Sequence, residues 1–207
     1  MPADIDLIVG LGNPGPSYKH TRHNVGFWFL DELASRYHTA LRNEAKFRGE
    51  IGRLTADSCW LLKPATYMNL SGRSVCAVSR YYGIALDRIL VVHDDLDLPP
   101  GAVRFKQGGG HGGHKGLRDL MERFGAGGFL RLRIGIGHPG SRDAVTPYVL
   151  SGPPAIEQAL IVHAIERAVE AVPELLAGEF QTVMNRLHSR LNDRWSGVPE
   201  QQESPED

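Results

Sequence analysis

Residues 7–15 read LIVGLGNPG, and the fold turns on how this stretch is understood. The largely apolar run from Ile5 to Val9 stops at Gly10, as a strand buried in the middle of a sheet does. Gly10, Gly12 and Gly15 then have the spacing G-x-G-x-x-G. In a dinucleotide-binding unit that spacing opens a helix whose free N–H groups hold a pyrophosphate. Here Pro14 removes one such donor, and the next helical pattern begins only at Val25. The acid that should close a second strand about twenty residues on is also missing, because Asp31 and Glu32 fall inside that helical pattern. The glycines are therefore expected to form a tight turn that presents Asn13 at the end of the first strand.

Further along, Trp60–Leu62 lies in a second apolar run and Ile89–His93 (ILVVH) forms a third. Helical spacing separates them, over Val25–Tyr37 and Ser74–Tyr82. Leu117, Leu120, Met121 and Phe124 continue the pattern, with Gly125 as a stop. Two late helices are expected, one from Pro154 to about Leu176, the other with the stripe Phe180, Val183, Met184, Leu187 and Leu191. This alternation predicts an α/β fold: a single domain over residues 1–193, with a mixed, mostly parallel twisted sheet flanked by helices. Residues 194–207 are acidic and poor in apolar side chains, which predicts a disordered tail.

At 207 residues the chain can bury a sizeable core without staples, and its two cysteines, Cys59 and Cys76, read as reduced packing residues. No apolar run is long enough to span a bilayer, and MPADIDLIVGLG lacks the basic leader of a signal peptide. A cytoplasmic location and no membrane partner are expected. The net charge of -1 conceals a strong asymmetry. Between Arg104 and Arg142, eight Lys or Arg stand against Asp119 and Glu122 alone, so a phosphate-bearing partner would meet the middle of the chain. Within that window AVRFK (102–106) and LRLRIGI (130–136) alternate strictly. Arg104 and Lys106 should then project from one strand face, and Arg131 and Arg133 from another. A solvated sheet face is the plainer alternative.

KQGGGHGGHKG is rich in glycine but is no P-loop, since no Lys-Ser or Lys-Thr follows the last glycine of G-x-x-x-x-G. So many glycines cost backbone entropy, and a loop over which something bulky lies accounts for them better than a bare turn. His20 with His23, His111 with His114, and His93 with Asp94 and Asp95 could be metal ligands. No H-E-x-x-H, E-x-x-H or cysteine pair supports that, so neither a metal nor a cofactor is expected.

Segments of turn character close the putative strands: Asn13 after the first, KPATYMNLSG (63–72) after the second and HDDLDLPPG (93–101) after the third. Strand ends in open α/β sheets face a common crevice. Asn13, Asn69, His93 and Asp94 can meet there, with His23 brought in by the turn before the first helix. A histidine beside a buried carboxylate is suited to taking a proton from water, and asparagine amides can hold a carbonyl or oxyanion. With no nucleophile elbow and no cysteine in such a turn, direct attack by water is expected. Taken singly, Asn13 and Asn24 also suit turn or N-cap roles, and Asp94 a strand-end cap.

The segments VGLGNPG, Y....TRHNVG, KPATYMNLSG, HDDLDLPPG, GGGHGGHKGL and RLRIGIGHPG, in this order, resemble bacterial-type peptidyl-tRNA hydrolase over most of residues 7–190. The resemblance implies a monomeric, metal-free α/β esterase. Its substrate would be peptidyl-tRNA dropped by ribosomes, cleaved at the ester between the peptide and the 3' ribose. It assigns His23 as the base that activates water and Asp94 as its stabilising carboxylate. Asn13 separates blocked from free aminoacyl esters. Tyr18, Tyr67, Met68 and Asn69 line the groove for the peptide and acceptor end, and His114 and Lys115 belong to the same binding region. Arg104, Lys106 and Arg133 match positions that hold acceptor-stem phosphates. One position departs: the family usually has GGHNGL where this chain has GGHKGL, and lysine cannot accept a hydrogen bond. Slower turnover or altered substrate preference is the expected consequence. The resemblance also admits a catalytically silent RNA-binding protein of the same fold.

Overall fold

The structure is a computed structural model that describes residues 4–54 and 59–188. Seven strands form one sheet: β1 (Leu7–Gly10), β2 (Arg42–Glu44), β3 (Gly49–Arg53), β4 (Trp60–Pro64), β5 (Ile89–Asp95), β6 (Val103–Gln107) and β7 (Leu130–Gly135), in the order β2-β3-β4-β1-β5-β7-β6. The four central strands β4, β1, β5 and β7 are mutually parallel, while β3 and β6 run against their neighbours. The mixed, mostly parallel α/β sheet read from the sequence is therefore present.

The helices are α1 (Val25–Arg36), α2 (Ser71–Tyr82), α3 (Lys115–Phe124), α4 (Val145–Val149), α5 (Ala155–Glu170), α6 (Val172–Leu176) and α7 (Phe180–His188). Successive residues of a strand point to opposite faces, so β1 and the apolar first four residues of β5 serve two cores at once. Ile8, Leu90 and Val92 join the α1, α5, α6 and α7 side, whereas Leu7, Val9, Ile89 and Val91 join the α2 and α3 side.

The glycines of the opening stretch have a packing cause. A Cβ on Gly10 would lie 2.2 Å from the carbonyl oxygen of Gly26, and one on Gly26 would lie 2.5 Å from the backbone of Leu11. The start of α1 thus lies directly on the end of β1, which leaves no room for a dinucleotide pyrophosphate and brings the preceding turn, with His23, to the sheet's edge.

Two features differ from the sequence reading. The helix expected from Pro154 to Leu176 is two helices, because Pro173 near the start of α6 lacks an N–H and its ring would clash with the carbonyl four residues back. The short β2, the edge-side β3 and the five-residue α4 carry too little periodicity to be seen in the sequence. Both cysteines are free and buried, as packing residues should be. The predicted tail and Leu191 lie outside the described residues. Among the described residues no helix is long and apolar enough to cross a membrane.

Candidate active site

Three elements end around one carboxylate. His23 sits in a 3-10 turn (Arg22–Asn24) that runs into α1, Asp94 is the next-to-last residue of β5, and His114 is the N-cap of α3. The Nδ1 of His23 lies 2.8 and 2.9 Å from the two carboxylate oxygens of Asp94. On the other side, the Nε2 of His114 lies 2.9 Å from Asp94 Oδ1. The hydrogen-bond pattern fixes the protons. His114 Nδ1 accepts from the backbone N–H groups of Gly116 and Leu117, at 3.1 and 3.3 Å, so in the neutral ring the proton is on Nε2 and points at Asp94. His23 likewise donates from Nδ1, which leaves its lone pair on Nε2.

Asp94 is only 3% exposed. Burial alone would raise its pKa, but His23 and then His114 outweigh that and hold the carboxyl well below the usual carboxylate range. It is therefore an acceptor at any physiological pH. Beside it His93 is buried, its Nδ1 2.7 Å from the Asp94 carbonyl oxygen and its Nε2 without a partner among the described residues. Burial, and then His114, push its pKa down to about 3, so this ring is neutral and packs edge-on to His114.

Three asparagines belong to the surroundings of His23. The Oδ1 of Asn13 accepts from the backbone N–H of Met68 at 2.7 Å, which orients the amide and leaves Nδ2 as a donor with no partner among the described residues. Asn24 does not cap α1. Its side chain clasps Asn13 instead, accepting from Asn13 N–H at 2.8 Å and donating to the Asn13 carbonyl at 2.9 Å. Asn69 is exposed in the same groove, next to the buried Met68.

These groups open into a groove of about 1090 Å³ that also takes in Tyr67, His114, Lys115, Lys106 and Arg133. Tyr18 meets Tyr67 edge to face at 6.3 Å but does not itself line the groove. Antiparallel pairing of β6 with β7 sets Arg104 opposite Arg133 and Lys106 opposite Arg131, so all four cations share one sheet face as alternation required. Their destinations differ. Lys106 and Arg133 line the groove, with Arg133 Nε 2.7 Å from Asp95 Oδ2. Arg104 lies outside the lining, its Nη1 donating to the Leu187 carbonyl at the end of α7. Arg131 also borders the groove, but it is buried and donates to the carbonyls of Gly109 and Gly110, clamping the glycine-rich loop. In that loop Gly108, Gly109, Gly112 and Gly113 have positive φ, which accounts locally for much of the glycine.

Arg22 escaped the sequence reading. Its guanidinium, with the side chain 5% exposed, pairs with Glu157 at 2.9 Å, donates to Ser151 Oγ at 2.8 Å and lies over the Tyr148 ring. It ties the turn that carries His23 to the α4–α5 segment, whose Val145 and Val149 wall the groove. No local signal in TRHN distinguishes it, because all its partners lie more than a hundred residues away.

Among the described residues, one group offers three atoms to a metal: His23, Asp94 and His114, with all the atoms within 4.8 Å of one another. The donor set fits a metal poorly. His114 would have to give up its Nε2 proton while Nδ1 already accepts two backbone N–H groups. The paired histidines of the sequence do not converge either. His20 is exposed on another cavity, and His111 Nδ1 accepts from Gly113 N–H.

Fold and site together define an α/β protein with a histidine–carboxylate pair, of the kind that deprotonates water, set in a partly cationic groove. Comparison with known proteins agrees. The family model for peptidyl-tRNA hydrolase matches residues 7–194. A peptidyl-tRNA hydrolase of Methylococcus capsulatus is 55% identical over 185 residues, covering 89% of this chain and 99% of that protein. One from Coxiella burnetii is 51% identical over 189 residues, covering 91% of this chain and all of the relative. The crystal structure of peptidyl-tRNA hydrolase from Acinetobacter baumannii superposes with a TM-score of 0.87 at 49% identity, covering 89% of this chain and 95% of that one. The chain belongs to the peptidyl-tRNA hydrolase family.

Proposed function

We propose that the protein hydrolyses the ester joining a peptide, or an N-blocked amino acid, to the 3' ribose of transfer RNA. The observation that carries this reading is the His23–Asp94 hydrogen bond of 2.8 Å at the floor of a groove walled by Lys106 and Arg133. In the mechanism, His23 Nε2 takes a proton from water as the oxygen attacks the ester carbonyl, and Asp94 stabilises the imidazolium that forms. The carbonyl oxygen becomes an oxyanion, for which the Nδ2 groups of Asn13 and Asn69 are available donors. As the tetrahedral intermediate collapses, His23 returns the proton to the departing ribose oxygen, leaving a free peptide carboxylate. Tyr18, Tyr67 and Met68 shape the groove, and Lys106, Arg133 and Lys115 hold RNA phosphates, with Arg104 contributing from outside the lining. His114 is reassigned from a substrate-binding residue to a positioning residue, because both its nitrogens are engaged by Asp94 and the start of α3.

His23→Ala tests the reading. Its expected effect is a loss of about 10²–10⁴-fold in turnover of N-acetyl-aminoacyl-tRNA, with RNA affinity unchanged. Unchanged turnover would remove His23 from the mechanism. A silent RNA-binding protein would have no use for the His23–Asp94 bond, which favours the hydrolase. In this reading the enzyme is a cytoplasmic monomer that needs no metal. Activity that survives EDTA and a single-chain mass in solution are the expected results.

A further inference from the structure

Asn69 sits in a 3-10 turn (Met68–Leu70) that leads straight into α2, whose first N–H groups need partners from outside the helix. Leu70 stands at the N-cap position with no side-chain acceptor, and no acid lies in the first turn of α2. The missing cap comes from another helix. Asp119, in the second turn of α3 and 8% exposed, accepts from Gly72 N–H at 2.8 Å through Oδ2. Arg123 Nε holds both carboxylate oxygens of Asp119, at 2.9 and 3.0 Å. The two helices lie too close here for any side chain at position 72, since a Cβ on Gly72 would be 2.8 Å from the Asp119 carbonyl oxygen. Three residues earlier on the same face of α3, a Cβ on Gly116 would be 2.6 Å from Met68 Sδ.

One helix therefore meets both halves of the site. The N-cap of α3, His114, braces Asp94, while Gly116 and Asp119 bear on the turn that carries Asn69 and on the helix behind it. Resting on the hydrolase reading above, we propose that Asp119 is a positioning residue of the reaction: by capping α2 from α3 it sets the Asn69 amide at a fixed distance from the His23–Asp94 pair. Its charge also suits the N-terminal end of the α2 dipole. The helix that supplies the cap does not depend on it. Leu117 and Leu120 are buried and His114 is bonded to Asp94, so loss of the Asp119 carboxylate leaves α3 in place and frees the start of α2. The Ser71 hydroxyl donates to the Met68 carbonyl at 2.9 Å, so a shift at the start of α2 passes to the turn before it. A donor stabilises an oxyanion only from hydrogen-bonding distance, and a small displacement of Asn69 is felt in the rate.

The test is a double-mutant cycle between Asp119→Ala and Asn69→Ala, read as kcat on N-acetyl-aminoacyl-tRNA. With Asn69 present, Asp119→Ala should lower kcat by about tenfold and leave both the pH profile of kcat and the affinity for deacylated tRNA unchanged. In the Asn69→Ala background the same substitution should cost less than about twofold, because nothing is left for Asp119 to position. Asp119→Asn keeps an oxygen for the Gly72 N–H and should lose only about threefold. It enters the same cycle, so the inference is still tested if Asp119→Ala does not fold. Losses that multiply across the cycle overturn the inference, since a general loosening of the fold acts whether or not Asn69 is there. An unchanged kcat in the folded Asp119 variants overturns it as well. So does a shifted pH profile or tRNA affinity, which would place the effect at His23 or at the cationic wall. A wild type that cleaves no substrate overturns the hydrolase reading and this inference with it, whereas cleavage with multiplying losses overturns only the role of Asp119.

Discussion

The floor of the groove and its cationic wall are built on opposite plans. On the floor, His23, Asp94 and His114 come from three elements, and each hydrogen bond limits the next: the start of α3 fixes the His114 proton, His114 and His23 fix Asp94, and Asp94 fixes the His23 lone pair. On the wall, four cations delivered to one face by β6 and β7 have unlike tasks. Arg131 braces a loop, Arg104 reaches α7, and Lys106 and Arg133 face the groove. A buried polar cluster must satisfy its members jointly, whereas an exposed row of charges is under no such constraint.

Asp94→Asn would break the contrast most severely. The amide nitrogen in place of Oδ2 would face His23 Nδ1 as a second donor and favour the tautomer with its proton on Nε2, the atom that takes the proton in the proposed mechanism. Turnover of N-acetyl-aminoacyl-tRNA should fall by about 10²–10⁴-fold in single-turnover assays with little change in RNA affinity.

The wall divides under a pair of variants. Lys106→Ala should weaken RNA binding and reduce the slope of log affinity against log salt by about 1, leaving stability unchanged. Arg131→Ala should instead lower unfolding stability by about 1–3 kcal/mol in denaturant titrations, because loop carbonyls lose a charged donor. Equal salt slopes for the two would erase the distinction.

A pH effect comes from His93. Its folded pKa of about 3 lies below the ordinary histidine value of 6.5, so between those values the unfolded chain holds the extra proton. Stability conferred by the neutral ring is complete above about pH 6.5 and declines as the pH falls toward 3. His188, also pushed down, by burial and then Arg104, contributes with the same sign. Asp94, whose pKa is depressed, adds its own loss only below the ordinary carboxylate range. Denaturant midpoints from pH 7 to 4 should drop for the wild type and drop less for His93→Gln.

The smallest expected effect is at Lys115. Its ammonium is exposed at the first position of α3, where the helix dipole opposes a cation, and it lines the groove. Lys115→Asn should stabilise the fold by about 0.3–1 kcal/mol while lowering the salt slope of RNA binding. Unchanged kinetics and an unchanged slope would leave the lysine without a role in the groove.

Much of this architecture is legible in local pattern. The apolar β1, the apolar first half of β5, the alternation in β6 and β7 and the caps at glycine follow from residue spacing, because backbone periodicity alone decides which side chains share a face. The opening glycines could be refused to a dinucleotide on Pro14 and the late helix, and the structure supplies the reason they are there, the contact of Gly10 with Gly26. Residue chemistry also singled out His23, Asp94, Asn13 and Asn69. Sequence spacing did not reveal that His114 braces Asp94, that Arg22 reaches Glu157, that Arg131 turns inward while Lys106 turns outward, or that Asn24 clasps Asn13 and does not cap its helix. These depend on partners brought together from distant parts of the chain. A side chain's pattern fixes the face it starts from, but the hydrogen bonds it forms depend on what the rest of the fold places against that face.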